Sequence, residues 1–141
     1  MNLTKNFSLD EFTSSQTATR KGFNEQSVPP DDVKDNLRVL CQELLQPLRD
    51  LLPRGIIKIS SGYRCKRLND AVGGKPNSQH VTGMAADTQY FEGGIMKNLK
   101  IIEAVKKNNL QFDQMINEYG GQWIHLSYNK SGNRKQELSI S

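Results

Sequence analysis

The stretch NSQHVTGMAADTQY, residues 77–90, decides how the fold is interpreted. Gly83 permits a turn after His80, because glycine adopts left-handed backbone conformations without steric cost. The small pair Ala85–Ala86 then allows a closely packed strand. Asp87 shares a face of that strand with Ala85 and can face back toward His80. The stretch therefore predicts a turn and a strand that bring an imidazole and a carboxylate together.

The sequence contains two histidines, and the second, His125, lies in WIHLS at residues 123–127. Catalytic zinc sites use imidazole and carboxylate ligands, with three protein ligands and one position left for water. His80, Asp87 and His125 satisfy that count and are the predicted Zn²⁺ ligands. Taken alone, a histidine is more often structural, and Asp87 could cap a turn. The combined pattern favours the metal site.

Helices are predicted mainly before this stretch and strands mainly after it. The S-x-x-E pattern of Ser8–Glu11 predicts a capping box and a short helix from Leu9, and residues 13–28 are expected to be irregular. Apolar residues at three- and four-residue steps predict a long helix from Asp31, kinked near Pro47. Further elements are expected as a strand at 56–60, helical turns at 65–72, a helix at 95–110 and strands at 112–118 and 122–128.

This order predicts an α+β fold with helices packed on one face of a small antiparallel sheet. The length of 141 residues indicates one domain, residues 1–141. Within it, residues 1–30 are expected to form an N-terminal arm with a short helix. Residues 129–141 are expected to be a polar, loosely held tail.

Composition narrows the classes of partner. The net charge is +4, but the basic residues are scattered and aromatics make up only 7% of the chain. A solvated surface is favoured over nucleic-acid binding, so no nucleic-acid partner is expected. No segment is apolar for long enough to form an integral membrane span, and the N-terminus lacks the pattern of a secretory signal. Cys41 is expected to be a small buried hydrophobe, and nothing supports a disulfide with Cys65.

The motif S-x-H-x-x-G-x-A-x-D at residues 78–87, together with W-x-H-x-S at 123–127, resembles the zinc D-Ala-D-Ala carboxypeptidase and L-alanyl-D-glutamate endopeptidase family of peptidoglycan peptidases. The segments NFSLDEF, SGYRC, LNDAVGG and FDQMINEYG extend the likeness over almost the whole chain. The chain is most similar to the short, single-domain branch of phages and bacteria. The resemblance implies a hedgehog-like α+β fold, a zinc cofactor and peptidoglycan stem peptides as substrate.

The resemblance also assigns roles to individual residues. It implies that His80, Asp87 and His125 are the zinc ligands. It also implies that Arg64 is the cationic partner of the substrate carbonyl or carboxylate. A fixed guanidinium can stabilise the oxyanion that develops during hydrolysis, and the alternative for Arg64 is a structural ion pair. Ser78 would hydrogen-bond substrate or a ligand, or else serve only in a turn.

The catalytic base departs from the family pattern. Several relatives have an acidic residue or histidine three positions before the last ligand, where this chain has Gln122, which cannot accept a proton at neutral pH. Glu118 is predicted to replace it as the general base. The alternative is that the Glu118 carboxylate only orients a histidine. Asp113 is a weaker candidate that is expected to be structural.

The geometry of the hairpin decides whether Glu118 can act. A two-residue type I′ turn at Gly120–Gly121 pairs Glu118 with Trp123, which is expected to form a wall beside the metal. Glu118 then shares a sheet face with His125, one diagonal step away. A three-residue turn would instead pair Glu118 with Gln122.

The sequence thus predicts a zinc metallopeptidase that hydrolyses an amide bond of peptidoglycan stem peptides. The competing hypothesis is a catalytically inactive, zinc-stabilised module of the same fold that binds cell wall or a protein. The site of action is expected to be the cell wall. Because no leader is visible, the chain is expected to be a phage or prophage product released at lysis or a protein whose leader has been removed.

Overall fold

The computed structural model describes residues 1–141, which form seven α-helices and a six-stranded sheet. The helices are α1 Leu9–Thr13, α2 Gln16–Lys21, α3 Asp31–Leu40, α4 Gln46–Asp50, α5 Lys66–Ala71, α6 Gln79–Thr82 and α7 Leu99–Lys107. The strands are β1 Ile56–Ser61, β2 Ala85–Glu92, β3 Ile95–Met96, β4 Gln114–Glu118, β5 Trp123–Ser127 and β6 Gln136–Ile140. None of the helices combines the length and apolarity needed to cross a membrane.

The strands lie in the order β1-β2-β5-β4-β6, and β3 pairs with the end of β2. All pairs are antiparallel except that of β4 with β6, which is parallel. The predicted α+β class is therefore confirmed, with a mixed rather than purely antiparallel sheet. The parallel pair arises because β5 ends beside the start of β4, and the loop after β5 crosses that end of β4 to its outer side, so β6 runs in the same direction as β4.

The two faces of the sheet differ in composition. One face is apolar and joins the leucines of α3 and α4 and the isoleucine and valine of α7 in one buried core. That face is formed by Ile57, Ala86, Tyr90, Met115, Ile124 and Leu126. Alternation along the strands sends Asp87 and His125 to the opposite face. The second face therefore carries the candidate chemistry.

The long helix predicted from Asp31 is present, with an irregular centre. Residues Cys41–Leu45 form a π-helical turn between α3 and α4. Pro47 follows this turn and has no N–H to donate to a helical bond, so the local change of hydrogen bonding precedes it. Cys41 is fully buried, as predicted, and both it and Cys65 are free thiols.

Two helical predictions need correction. Residues 13–28 are not irregular, since they contain α2 and a short 3₁₀ turn, Asn24–Ser27. The buried amide of Gln26 holds this segment by donating to the carbonyl oxygens of Thr13 and Tyr63. The helix expected at 95–110 begins only at Leu99, because Ile95 and Met96 pair with β2 as β3.

The tail beyond Asn129 is also not loosely held. Arg134 forms two side-chain hydrogen bonds to the carboxylate of Asp113, at 3.0 and 2.9 Å. The chain then pairs with β4 as strand β6. Every residue of β6 is exposed, so the sequence carries no burial pattern there. Main-chain pairing and two ion pairs, Arg134 with Asp113 and Lys106 with Glu137, position the strand.

Candidate active site

His80 lies in the short helix α6, which has a suitable capping residue at each end. The Ser78 hydroxyl accepts a hydrogen bond from the His80 backbone N–H and caps the start of α6. Gly83 ends the helix with a φ of 77°, in the left-handed region. A Cβ atom at Gly83 would lie 2.7 Å from the Val33 carbonyl oxygen. The glycine is thus required both by its conformation and by the closeness of α3.

Asp87 and His125 lie directly opposite each other on β2 and β5. Both are buried, as is His80. The His125 Nδ1 atom is 3.2 Å from Asp87 Oδ1, and the His80 Nε2 atom is 3.3 Å from the same oxygen. The two imidazole rings meet edge to face with centroids 5.1 Å apart. The predicted approach of Asp87 to His80 is confirmed.

This donor set fits a metal ion. One ligand atom from each of the three residues lies within 4.8 Å of the other two. Zinc bonds of about 2.0–2.1 Å at tetrahedral angles place neighbouring ligand atoms about 3.3 Å apart, close to the two separations from Asp87 Oδ1. The His80 Nδ1 atom lies 2.7 Å from the Gly62 carbonyl oxygen. Because that oxygen can only accept, Nδ1 carries the proton and Nε2 is free to bind a metal.

The charge state of Asp87 suits the same role. Burial alone would raise its pKa, but the hydrogen bond from His125 and the positive charge that either imidazole carries when protonated outweigh burial and hold the pKa below its usual range. Arg64 adds a positive charge, with its Nη2 atom 3.6 Å from Asp87 Oδ2. Asp87 is therefore an anionic carboxylate at neutral pH, the form that binds metal.

Arg64 is held by three groups beside the cluster. Its Nε–H donates to the Ser61 hydroxyl at 3.2 Å, and its Nη1 lies 3.4 Å from the Asn69 side-chain oxygen. Its backbone N–H donates to the carbonyl oxygen of His80. The alternative reading of Arg64 as an ion-pair partner and its predicted role beside substrate are compatible, because the side chain contacts Asp87 and also lines a groove.

The groove lies on the same face of the sheet and has a volume of about 610 Å³. Asp87 lies in its lining, with Trp123 and Gln89 on the sheet and Arg64 and Leu68 following β1. The residues 14–17, which join α1 to α2 and form the start of α2, also contribute to its lining. Arg64 and Asp87 are the charged residues among those that line it. The candidate metal cluster therefore opens, through Asp87, into a space large enough for a short peptide.

Glu118 lies on the face predicted from the hairpin. Glu118 pairs with Trp123, and Ile116 with His125, which confirms the predicted register. The turn itself differs, because positive φ angles begin at Tyr119 and include Gly120 and Gly121. The Trp123 indole N–H donates to Glu118 Oε2 at 2.9 Å, while Oε1 has no hydrogen-bond partner within the protein. Trp123 lines the groove and is partly exposed there. It is therefore less buried than expected for a wall beside the metal.

Three other candidates have defined positions. Ser78 caps α6 and is not part of the groove lining, so its role in substrate binding stays a prediction. Gln122 lies exposed in the turn after Glu118. Asp113 is buried, and its hydrogen bonds with Arg134 lower its pKa to about 2. It also accepts a bond from Gln79, which is consistent with the expected structural role.

Sequence reasoning did not identify Ser61, Gly62 and Asn69 as site residues. Asn69 is 1% exposed, and its side-chain N–H₂ donates to the Lys75 carbonyl oxygen while its oxygen faces Arg64. It thereby joins Arg64 to the loop that leads to His80. The segment SGYRC pointed to this region, but Arg64 lies in the irregular segment between β1 and α5, and its contacts with Ser61 and Asn69 follow neither a helical nor a strand period.

Comparison with known proteins agrees with this geometry. The sequence model of the family described as peptidase M15 matches residues 5–127, from the N-terminal segment through β5. The match includes all three candidate metal ligands, Arg64 and Glu118. No curated protein matches the chain in sequence.

Proposed function

Because the chain belongs to the peptidase M15 family, the family of zinc D-Ala-D-Ala carboxypeptidases, we propose that it is a zinc metallopeptidase of bacterial cell wall. The substrate is an amide bond in a peptidoglycan stem peptide, of the D-Ala-D-Ala carboxypeptidase or the L-alanyl-D-glutamate endopeptidase type. Because peptidoglycan lies outside the cytoplasmic membrane, the proposed place of action is the cell wall. Family membership supports metallopeptidase chemistry, and the bond and the substrate are the proposal.

One observation carries this proposal. Two imidazoles and one carboxylate converge within 4.8 Å at the edge of a groove that also holds an arginine. Three protein ligands are the number found in catalytic zinc sites, in contrast to the four of closed structural sites. A site that served only to stabilise the fold would not need an open groove beside it.

The residues around the cluster have distinct tasks in hydrolysis. A bound zinc ion supplies Lewis-acid activation of water and of the scissile carbonyl. Glu118 accepts the proton that water loses and returns it to the leaving amine. Its carboxylate is held for this by the Trp123 indole, with Oε1 free. Arg64, fixed by Ser61 and Asn69, stabilises the oxyanion of the transition state.

The direct test is digestion of purified peptidoglycan and of soluble muropeptides, first with zinc and then with a chelator. The expected result is a product, identified by mass spectrometry, that appears only in the presence of zinc. Its mass names the bond that is cleaved. Zinc-loaded protein that releases nothing from several wall types would contradict the proposal.

The second candidate function is an inactive, zinc-stabilised module that binds cell-wall peptides or a protein. The observation that favours it is Gln122, exposed in the turn and without an acid or base at the position used by several relatives. Glu118 and Arg64 weigh against it. Sedimentation with insoluble peptidoglycan in the absence of any released peptide would support this second function.

A further inference from the structure

A second cavity lies on the same face of the sheet as the active-site groove. It has a volume of about 440 Å³ and is formed by the start of β1 with the residues before it and by the end of β2 with the turn after it, namely Pro53, Arg54, Gly55, Ile56, Lys58, Phe91, Gly93 and Gly94. The cavity is separate from the metal cluster and has no role in the chemistry proposed above.

Strand β2 connects the two spaces. Asp87, Gln89 and Phe91 alternate along β2 and so project from the same face. Asp87 and Gln89 line the groove, whereas Phe91 lines the second cavity. Four residues at about 3.3 Å each place Phe91 about 13 Å from Asp87 along the strand. An extended peptide bound at the metal could therefore reach the second cavity.

The second cavity is positively charged. Arg54 and Lys58 are the charged residues that line it, and no acidic side chain does. Both are exposed, and neither forms a salt bridge or a side-chain hydrogen bond within the protein. The Lys58 ammonium group lies 5.8 Å from the centroid of the Phe91 ring, which keeps it over the cavity.

Glu92, which lies in the chain between the lining residues Phe91 and Gly93, does not neutralise these two cations. Its carboxylate is engaged by Lys97 at 3.0 Å, Lys100 at 3.1 Å and the Tyr90 hydroxyl at 2.8 Å. These contacts hold the pKa of Glu92 at about 2, first through the hydrogen bond from Tyr90. Arg54 and Lys58 thus remain available to an anionic ligand.

Building on the proposed function, we infer that Arg54 and Lys58 form a distal subsite for a carboxylate of the bound peptide. This carboxylate lies about four residues from the cleaved bond, because an extended chain advances about 3.3–3.6 Å per residue. The ligand is thus a peptide with at least one free carboxylate remote from the scissile bond. Arg64 is already shared with Asp87, whereas Arg54 and Lys58 form no ion pair and line the second cavity.

The test compares the variant Arg54→Gln/Lys58→Gln with the wild type on soluble, cross-linked peptidoglycan fragments. The matched control is Lys107→Gln/Lys130→Gln, which removes the same charge from exposed residues that form no salt bridge. At low ionic strength the first variant is expected to raise KM about fivefold without changing kcat, because two exposed ion pairs are lost. The control changes KM less than twofold, and salt reduces the difference.

Chemical amidation of the fragments identifies the group that is bound. On amidated fragments the KM of wild type and variant is expected to be the same. An equal loss on free and amidated fragments, or no loss on either, would overturn the subsite.

A binding measurement separates this inference from the proposed function. Fluorescence anisotropy with labelled fragments, in the presence of chelator, needs no turnover. If the wild type cleaves nothing, the proposed function fails, while a fivefold weaker binding by the variant still supports the subsite. Poly(glycerol phosphate) serves as a second probe. Weaker binding of that polymer with unchanged peptide binding would overturn the inference in favour of a phosphate ligand.

Discussion

His80 uses its two ring nitrogens for different purposes. The Gly62 carbonyl oxygen accepts a hydrogen bond from Nδ1, so the Nε2 lone pair points toward Asp87 Oδ1. A histidine without such a partner would divide its proton between both nitrogens and rotate more freely. The position of one backbone carbonyl thus sets both the tautomer and the direction of a candidate metal ligand.

Gly62 is expected to be intolerant of any side chain. A Cβ atom there would lie 2.6 Å from the Phe12 Cα atom, and a backbone atom cannot move aside as the end of a flexible side chain can. Gly62→Ala should lower the free energy of unfolding by about 3 kcal/mol, measured by urea denaturation. Gly73→Ala is the control, because that site is open and has only an unfavourable φ of 77°. An equal loss of unfolding free energy in the two variants would show that the close contact with Phe12 does not exclude a side chain at Gly62.

Glu118→Gln tests the catalytic base. The substitution keeps the shape and can keep an acceptor for the Trp123 indole, but it removes the group that takes the proton. The expected result is full zinc content with a rate about 10²–10⁴ lower, measured with muropeptides and by metal analysis.

Gln122→Ala is the matched control for Glu118→Gln, because Gln122 is exposed and its side chain forms no hydrogen bond. It should leave the rate unchanged. Full turnover by Glu118→Gln would remove Glu118 from the mechanism, whatever the control shows.

Among the elements, β1 shows how local irregularity can serve a site. The register between β1 and β2 shifts between Ile59 and Ser61, so that Ser60 is an additional residue on one strand. The bulge places Ser61 opposite Asp87, and the Ser61 hydroxyl then accepts from Arg64. Bulges bend strands and redirect side chains next to active sites. Without the bulge, Ser60 would be opposite Asp87, and Arg64 would lose its hydrogen bond to the Ser61 hydroxyl.

The elements that the sequence predicted are those with strong local signals. The capping box of α1 is formed, with the Ser8 backbone N–H donating to Glu11 at 2.7 Å, and the periodic leucines of α3 and α4 are in the core. The elements that it missed, α2, α6, β3 and β6, are short or exposed. Distant contacts stabilise them, such as Gln26 with Tyr63 and Arg134 with Asp113. Patterns within a segment do not encode such contacts.

The site was more predictable than its surroundings. His80, Asp87 and His125 have few structural reasons to occur in that register, so their residue types alone indicated a cluster. The register of Glu118 followed from strand alternation and the turn glycines. By contrast, nothing in the sequence distinguishes Asn69 and Ser61 from other polar residues. Their role is visible only in the structure, where both contact Arg64. Their contribution depends on the folded loop and the bulge.

The attachment of β6 predicts a pH-dependent stability. Hydrogen bonds from Arg134 lower the folded-state pKa of Asp113 to about 2, against about 3.9 in an unfolded chain. This contribution is fully present above about pH 4 and is lost as the pH falls toward 2. At neutral pH the free energy of unfolding of the wild type should exceed that of Asp113→Asn by about 1 kcal/mol. The difference is modest because Arg134 is largely exposed.

The measurement for Asp113 is urea unfolding of both proteins from pH 7 to pH 2, with chelator present so that metal loss does not contribute. The other carboxylates titrate in both proteins and cancel in the difference. A difference that stays constant down to pH 2 would mean that the ion pair does not stabilise β6.

At the scale of the whole molecule, the candidate metal ligands join separate parts of the chain. His80 comes from α6, Asp87 from β2 and His125 from β5, while the Gly62 carbonyl that orients His80 follows β1. In an unfolded chain His125 is remote from His80 and Asp87, so the three side chains are not held together around one ion. A metal that binds the folded state alone must therefore stabilise the fold.

Zinc is accordingly expected to raise the melting temperature of the wild type. With free zinc about a hundredfold above its dissociation constant, the gain is about 2.7 kcal/mol, or roughly 8 °C in Tm. His80→Ala/His125→Ala should lose this zinc-dependent increment, measured by calorimetry with and without chelator. The increment is the readout, so a lower Tm of the metal-free variant does not affect the result. Gln122→Ala should retain the full increment. A double variant that still gained 8 °C from zinc would place the metal elsewhere and remove the basis of the proposed chemistry.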